Sequence, residues 1–333
     1  MTSKAVLRLS HLSTGYSGKH AAIRVATDIN ASVYGGELTC LLGANGAGKS
    51  TLLRTLSASQ PPISGEVWLE DRRIADYSDK ELARMIGIVL TERCEVNNLT
   101  VEELVGLGRS PYTGFWGTLR DKDKQVVDES MRLVGITGFA GRMVQTLSDG
   151  ERQKVMIAKA LAQHTPVILL DEPTAFLDFP SKVEVMRLLR SLAHELGKTI
   201  FLSTHDLELA LQIADKLWLM NRERVVIGTP EDLALNGTLE TFFKGEGIVF
   251  DRQSGLFRIE PHYVRSIRLT GEGQRYAMAQ KALRRYAIRA GRDVESDVLI
   301  DAGASEEDGF VWHPASGTCV VCENIEALLG QIR

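Results

Sequence analysis

Gly43-Ala-Asn-Gly-Ala-Gly-Lys-Ser50 is a complete G-x-x-x-x-G-K-S, set between the apolar run Leu38-Thr-Cys-Leu-Leu42 and the segment Thr51-Leu-Leu-Arg-Thr-Leu56. Strand before and helix after is the context in which this motif acts as a phosphate loop. Gly43, Gly46 and Gly48 allow backbone angles that turn successive N–H groups towards an anion. The helix that begins near Lys49 adds the positive end of its dipole. Lys49 can reach β- and γ-phosphates, and the Ser50 hydroxyl can ligate Mg²⁺. A glycine-rich turn with an exposed lysine would not need that context, so the stretch reads as a nucleotide site.

The chain has 333 residues, suited to about two domains, with a formal net charge of −4. That balance gives no general pull towards nucleic acid or anionic lipid. The N-terminus passes straight into a strand pattern with no signal-peptide core, and no apolar stretch approaches 18 residues, the length a membrane span needs. Four cysteines are too few for a disulfide scaffold, so a reducing compartment is expected.

Before the loop, Ala5–Leu9, Ala22–Val25 and Ala31–Tyr34 read as short antiparallel strands, with Tyr16 at a turn between them. Its ring offers an adenine-stacking face or is an ordinary turn tyrosine. After the first helix come a β element over Gly65–Ile74, a brief helix over Asp79–Arg84 and the apolar strand Met85–Leu90. Helical patterns follow from Thr100 and over Asp121–Val134, a helical insertion in an α/β core. Leu147-Ser-Asp-Gly-Glu151 opens another helix. Val167-Ile-Leu-Leu170 is wholly apolar and ends in Asp171-Glu172, which reads as a central parallel strand whose carboxyl end holds a site. An amphipathic helix over Ser181–Leu196 stops at Gly197, and the next core strand ends in Ser203-Thr-His-Asp206.

Asp171 is placed as a direct or indirect Mg²⁺ ligand, since hard cations take oxygen donors. Glu172 is placed to align or deprotonate an attacking water. His205 could hydrogen-bond a γ-phosphate, although a strand-end histidine can equally be structural. The other histidines have no such setting.

These motifs, in this order, resemble those of the ATP-binding cassette (ABC) ATPases over about residues 5 to 240, and Leu-Ser-x-Gly separates that family from other P-loop NTPases. The resemblance implies an α/β P-loop core with an antiparallel β subdomain and a helical subdomain at about residues 92–164. It implies ATP and Mg²⁺ as cofactors. Gly43, Asn45, Gly46, Gly48, Lys49, Ser50 and Thr51 would bind the nucleotide, and Tyr16 would stack on adenine. Ser50 and Asp171 would hold the metal, with Glu172 the catalytic carboxylate and His205 the switch histidine. Asp178 matches the loop that communicates between subunits. Ser148 and Gly150 match residues that meet the γ-phosphate bound by a partner subunit, which implies a head-to-tail homodimer.

Two positions depart from the pattern. Counting back from Leu99 puts Thr91, then Glu92, where the family has a glutamine that ligates Mg²⁺. Asp149 replaces the first signature glycine and should slightly disfavour ATP. Leu99–Tyr112 looks like the helical subdomain of importer ATPases for iron–siderophore, haem and cobalamin complexes. That implies transmembrane permease subunits, a periplasmic or surface binding protein acting indirectly, no nucleic-acid partner, and a peripheral place on the cytoplasmic face of the plasma membrane. The competing class is a soluble ABC ATPase of a non-transport assembly or nucleic-acid process.

The pattern changes near Gly245, giving an ATPase domain over 1–244 and a small α+β accessory domain over 245–333. A helix is expected over about Gln274–Ala290, with Lys281, Arg284, Arg285 and Arg289 on a basic, solvated face. Cys319-Val-Val-Cys322 reads as strand cysteines on opposite faces rather than a metal site. A regulatory or dimer-contact role is expected for this domain.

Overall fold

The computed structural model describes residues 4–17, 22–90, 98–114, 117–222, 224–245, 248–251, 255–259, 262–303 and 309–332. The chain divides into two compact units, Met1–Thr238 and Leu239–Arg333.

The first unit opens with β1 (Ala5–Ser17) and β2 (Ala22–Tyr34), two long antiparallel strands. The two short strands expected over 22–34 are therefore one strand, and Tyr16 lies within β1, paired with Ile23, not at a turn. The alternation that suggested a break comes from bulges, where Asp28 takes a φ of 53°. The bulge is held by side chains: Ser13 Oγ accepts from Asp28 N–H, and Asn30 Oδ1 from His11 N–H. Such substitution keeps ladder groups satisfied where register shifts.

β3 (Leu38–Leu42) is buried at every residue and feeds the loop before α1 (Lys49–Leu56). β4 (Ser64–Leu69) and β5 (Arg72–Arg73) extend the antiparallel sheet to the order β2-β1-β4-β5. α2 (Asp79–Met85) leads to β6 (Ile86–Val89). The helical insertion is α3 (Val101–Gly106), α4 (Asp121–Leu133) and α5 (Asp149–Ala162). β7 (Val167–Asp171), α6 (Phe179–His194), β8 (Thr199–Thr204), α7 (Leu207–Ile213), β9 (Lys216–Met220), β10 (Val225–Gly228) and α8 (Pro230–Leu235) complete the unit. The second sheet runs β10-β9-β3-β8-β7-β6, parallel except for β10. β8 is buried at every residue, and β7 at all but Asp171, because helices cover both sides of such a sheet. Between the two sheets a core gathers Leu7, Leu12, Leu41, Leu52, Leu169, Phe201 and Trp218, with Phe201 edge-on to Trp218 at 5.1 Å.

α2, α3 and α5 each start with a reciprocal capping box: Ser78/Glu81, Thr100/Glu103 and Ser148/Glu151. Inside the helical insertion Arg109 is buried; its Nε donates to Asp123 at 3.0 Å and its Nη1 to the Ala162 carbonyl at 2.8 Å. Its guanidinium also lies 4.0 Å from the Tyr112 ring centroid. A buried charge is tolerable when paired and hydrogen-bonded in this way.

The second unit begins within α9 (Thr238–Phe242), at Leu239. Phe243 packs edge-on against Phe257 and Phe257 against Phe250, across the hairpin β11 (Ile248–Asp251)–β12 (Leu256–Ile259). Those contacts place Phe242 and Phe243 with the second unit, a little before the change in sequence pattern at Gly245. A five-stranded sheet follows, order β14-β13-β15-β16-β17. It is built from β13 (Arg265–Thr270), α10 (Gly273–Arg285), β14 (Ile288–Gly291), β15 (Leu299–Asp301), β16 (Phe310–His313) and β17 (Val320–Cys322), then α11 (Ile325–Ile332). The helix expected to Ala290 stops at Arg285, because Ala287 turns the chain with a φ of 57° and Ile288 enters the core beside β13. Arg289 therefore sits on a strand and is not part of the helix face carrying Lys281, Arg284 and Arg285. Cys322 is buried and Cys319 exposed, and the described residues hold no group of three metal-ligating side chains. No helix among them is long and apolar enough to cross a membrane.

Two measurements probe this fold. Phe201→Ala should lower the urea midpoint, a loss of about 3–5 kcal/mol for a fully buried aromatic. Glu81 is held down from 4.5 to about 2 by the Ser78 amide, then the Ser78 hydroxyl and Arg72. Because folding lowers this pKa, its contribution is complete above 4.5 and fades as pH falls towards about 2. Glu81→Gln should therefore reduce thermal stability at neutral pH and converge with the unmodified chain in strong acid.

Candidate functional site

The phosphate loop is fixed by what its glycines touch. A Cβ on Gly43 would lie 2.2 Å from the Met220 carbonyl oxygen on β9. One on Gly48, the N-cap of α1 with a φ of 104°, would lie 2.0 Å from Val25 Cγ1 on β2. The loop is thus pinned between the two sheets, and its amides take their directions from that packing.

Lys49 is buried and curls over the loop: its Nζ donates to the Gly43 carbonyl at 2.9 Å and lies 3.7 Å from Glu172 Oε1. The other Glu172 oxygen, Oε2, is 3.3 Å from His205 Nδ1. Lysine, glutamate and histidine from three separate strand ends therefore meet. Glu172 takes a φ of 47°, the left-handed region, where a non-glycine residue is held only by its surroundings. Here its N–H donates to Ser203 Oγ at 2.9 Å, and the Ser203 hydroxyl donates to Asp171 Oδ1 at 2.6 Å. Sequence reasoning passed over Ser203, since nothing adjacent to it in the chain carries the acids it touches.

Asp171 and Ser50 open onto one cavity of about 390 Å³, together with Arg54, Gln60, Ile88 and Leu90. Tyr16, with its ring about half exposed, bonds through its hydroxyl to Thr51 Oγ1 at 2.7 Å. Asn45 and Gly46 are exposed in the loop itself. Thr91 and Glu92 lie outside the described residues.

The remaining candidates lie at two helix starts. Ser148 caps α5, accepting from the Glu151 amide at 3.3 Å while Glu151 Oε2 accepts from Ser148 N–H at 2.8 Å. The Ser148 amide, above all, holds the Glu151 carboxyl below its usual range. Gly150 follows with space for a Cβ only 3.1 Å from Ser181 Oγ on α6. Asp178 caps α6, accepting from the Ser181 amide at 3.1 Å, and Ser181's hydroxyl and amide lower its pKa. Ser148 finds its side-chain and carbonyl partners within its own helix, not in the phosphate loop. Phe176 and Phe179 flank Asp178 and are exposed.

A row of amides, a buried lysine and an acid beside a histidine suit a triphosphate and an attacking water, which is the chemistry of P-loop nucleotide hydrolases. Comparison with known proteins refines the class. Residues 26–175 match the ABC transporter family model, and residues 264–333 match the iron ABC transporter C-terminal domain. The ferric enterobactin transport ATP-binding protein of Escherichia coli (strain K12) is 37% identical over 250 residues, covering 75% of this chain and 91% of that one. The petrobactin import ATP-binding protein of Bacillus anthracis is 35% identical over 224 residues, covering 67% and 82%. A dimeric ATP-binding cassette in a post-hydrolysis state bound to ADP and Pi superposes with a TM-score of 0.59 at 28% identity, covering 67% of this chain and 98% of that one. The chain belongs to the ABC transporter ATP-binding family and is an ATPase. Its C-terminal unit carries none of the phosphate-handling motifs.

Gly43→Ala forces a methyl against backbone and is expected to cost about 1–3 kcal/mol. If that cost falls on the nucleotide-binding shape of the loop, ATP affinity drops about tenfold or more, measurable by titration with a fluorescent ATP analogue.

Proposed function

We propose that this chain is the ATP-hydrolysing subunit of an importer, coupling hydrolysis to uptake of an iron complex such as a ferric siderophore. The meeting of Lys49, Glu172 and His205 carries the reading. The cargo class draws on the two relatives' names and on the iron-transporter match of residues 264–333. We assign the ATPase role to the chain within 1–244 and an accessory role to 245–333, the latter inside the compact unit that begins at Leu239.

In this reading Lys49 leaves the Gly43 carbonyl for the β- and γ-phosphates, the loop amides hold the remaining oxygens, and Tyr16 stacks on adenine. Glu172 orients and deprotonates the attacking water. His205 holds the Glu172 carboxylate from its other oxygen and faces the γ-phosphate. Ser50 and Asp171 suit Mg²⁺, for a hydroxyl and one carboxylate share a cavity, and Mg²⁺ takes few protein donors. When bound, Mg²⁺ neutralises charge developing on the phosphate oxygens.

Ser148 and Gly150 sit at the amide-presenting start of α5, and a second copy would bring that start to the γ-phosphate. The single set of motifs and the dimeric relative with ADP and Pi support a head-to-tail homodimer. Permease subunits would hold this dimer as a peripheral component on the cytoplasmic face of the membrane, with a binding protein acting through them.

Glu172→Gln should slow hydrolysis by about 10²–10⁴-fold. It should still bind ATP and run as a dimer in ATP by light scattering; parent-like hydrolysis would remove the catalytic assignment. Affinity purification from gently solubilised source membranes should co-isolate polytopic permeases. Soluble assembly factors without a permease would overturn the importer reading and leave the ATPase chemistry in place.

A further inference from the structure

Ser203 is the residue that the chemistry above leaves without a role. It lies on β8, a strand buried at every position, and is itself fully buried. A hydroxyl in such a place is costly unless satisfied, and valine or isoleucine would suit the strand without that demand. Its Oγ is used twice, donating to Asp171 Oδ1 at 2.6 Å and accepting from Glu172 N–H at 2.9 Å. The two strands set this up: β7 and β8 pair in parallel with Asp171 opposite Ser203.

Both bonds fall on the acids that the reaction needs. The first restrains rotation of the Asp171 carboxylate, which shares its cavity with Ser50. The second adds to the bond that the same N–H gives the Ser203 carbonyl at 3.2 Å, so hydroxyl and carbonyl together hold the amide of a residue at a φ of 47°, the turn that aims Glu172 at Lys49 and His205. A hydroxyl serving only to fill the core would need one partner, and a backbone carbonyl would do.

We propose that Ser203 is a positioning residue for the acid pair, setting the Asp171 carboxylate for the divalent cation that accompanies ATP and fixing the turn that carries Glu172. The proposal rests on the ATPase reading given above. It acts through Asp171, so its signature is in how much the cation strengthens ATP binding, a quantity that packing alone would not move.

The test titrates a fluorescent ATP analogue into the full-length chain in EDTA and again in saturating Mg²⁺. The ratio of the two dissociation constants gives the cation's contribution. Ser203→Ala should leave the EDTA value as it is and reduce the ratio about tenfold, the size typical when a group orienting a metal ligand is lost. Ser203→Thr, which keeps the hydroxyl, should restore the ratio. In an Asp171→Asn background Ser203→Ala should change nothing further, because the two residues act as one unit. A Ser203→Ala ratio equal to that of the unmodified chain, or a loss that adds in full to that of Asp171→Asn, overturns the proposal alone. An unmodified chain that binds no ATP in either condition overturns the ATPase reading and this proposal with it.

Discussion

Everything at the nucleotide site depends on the phosphate loop being clamped between two sheets. Gly43 meets the backbone of β9 and Gly48 meets Val25 of β2, each closer than any side chain would permit. An anion cradle of backbone amides has no side chains to adjust, so its accuracy comes from the strands that grip it. The all-buried β3 enters between β8 and β9, and the antiparallel sheet closes over the loop. The two-sheet architecture is therefore a mounting for about six residues.

The second dependency is the partition of the acids. Asp171 and Glu172 are neighbours in sequence yet point to different work, because the chain reverses its handedness between them. That reversal is held from the adjacent strand. One carboxylate goes to the cavity beside Ser50 and the other to the gap between Lys49 and His205. Two adjacent acids in ordinary strand geometry would alternate across the sheet and could not share a phosphate.

Legibility in the sequence followed the range of the interaction. The loop and the acids after Val167–Leu170 are local patterns, and the structure has each in its expected place. The single strand β2 was hidden because its bulge breaks the alternation that a reader counts. β14 was hidden because arginines continue past the end of α10, and only the turn at Ala287 separates helix from strand. Ser203 was invisible for a different reason: its partners are 31 and 32 positions away, joined to it by sheet register and not by spacing. The C-terminal unit was legible as a separate α+β fold, while its kinship was not, since a small core of Ile267, Leu269, Ile300 and Phe310 carries no chemistry to read.

The buried Arg109 in the helical insertion has a mechanical consequence. Removing one partner of such a pair costs about 3–5 kcal/mol, so α4 and α5 cannot come apart cheaply. Gly108 packs so closely on α5 that a Cβ would sit 2.2 Å from the Lys159 carbonyl oxygen, which stiffens the same joint. Where α5 ends, by contrast, Gln163 reaches the Ala83 and Ile86 carbonyls through one amide nitrogen, a neutral clasp of two hydrogen bonds. Lys154 of the same helix also pairs with Glu184 of α6. Stiffness inside the insertion means that a push on one of its helices is handed to the others without being absorbed between them.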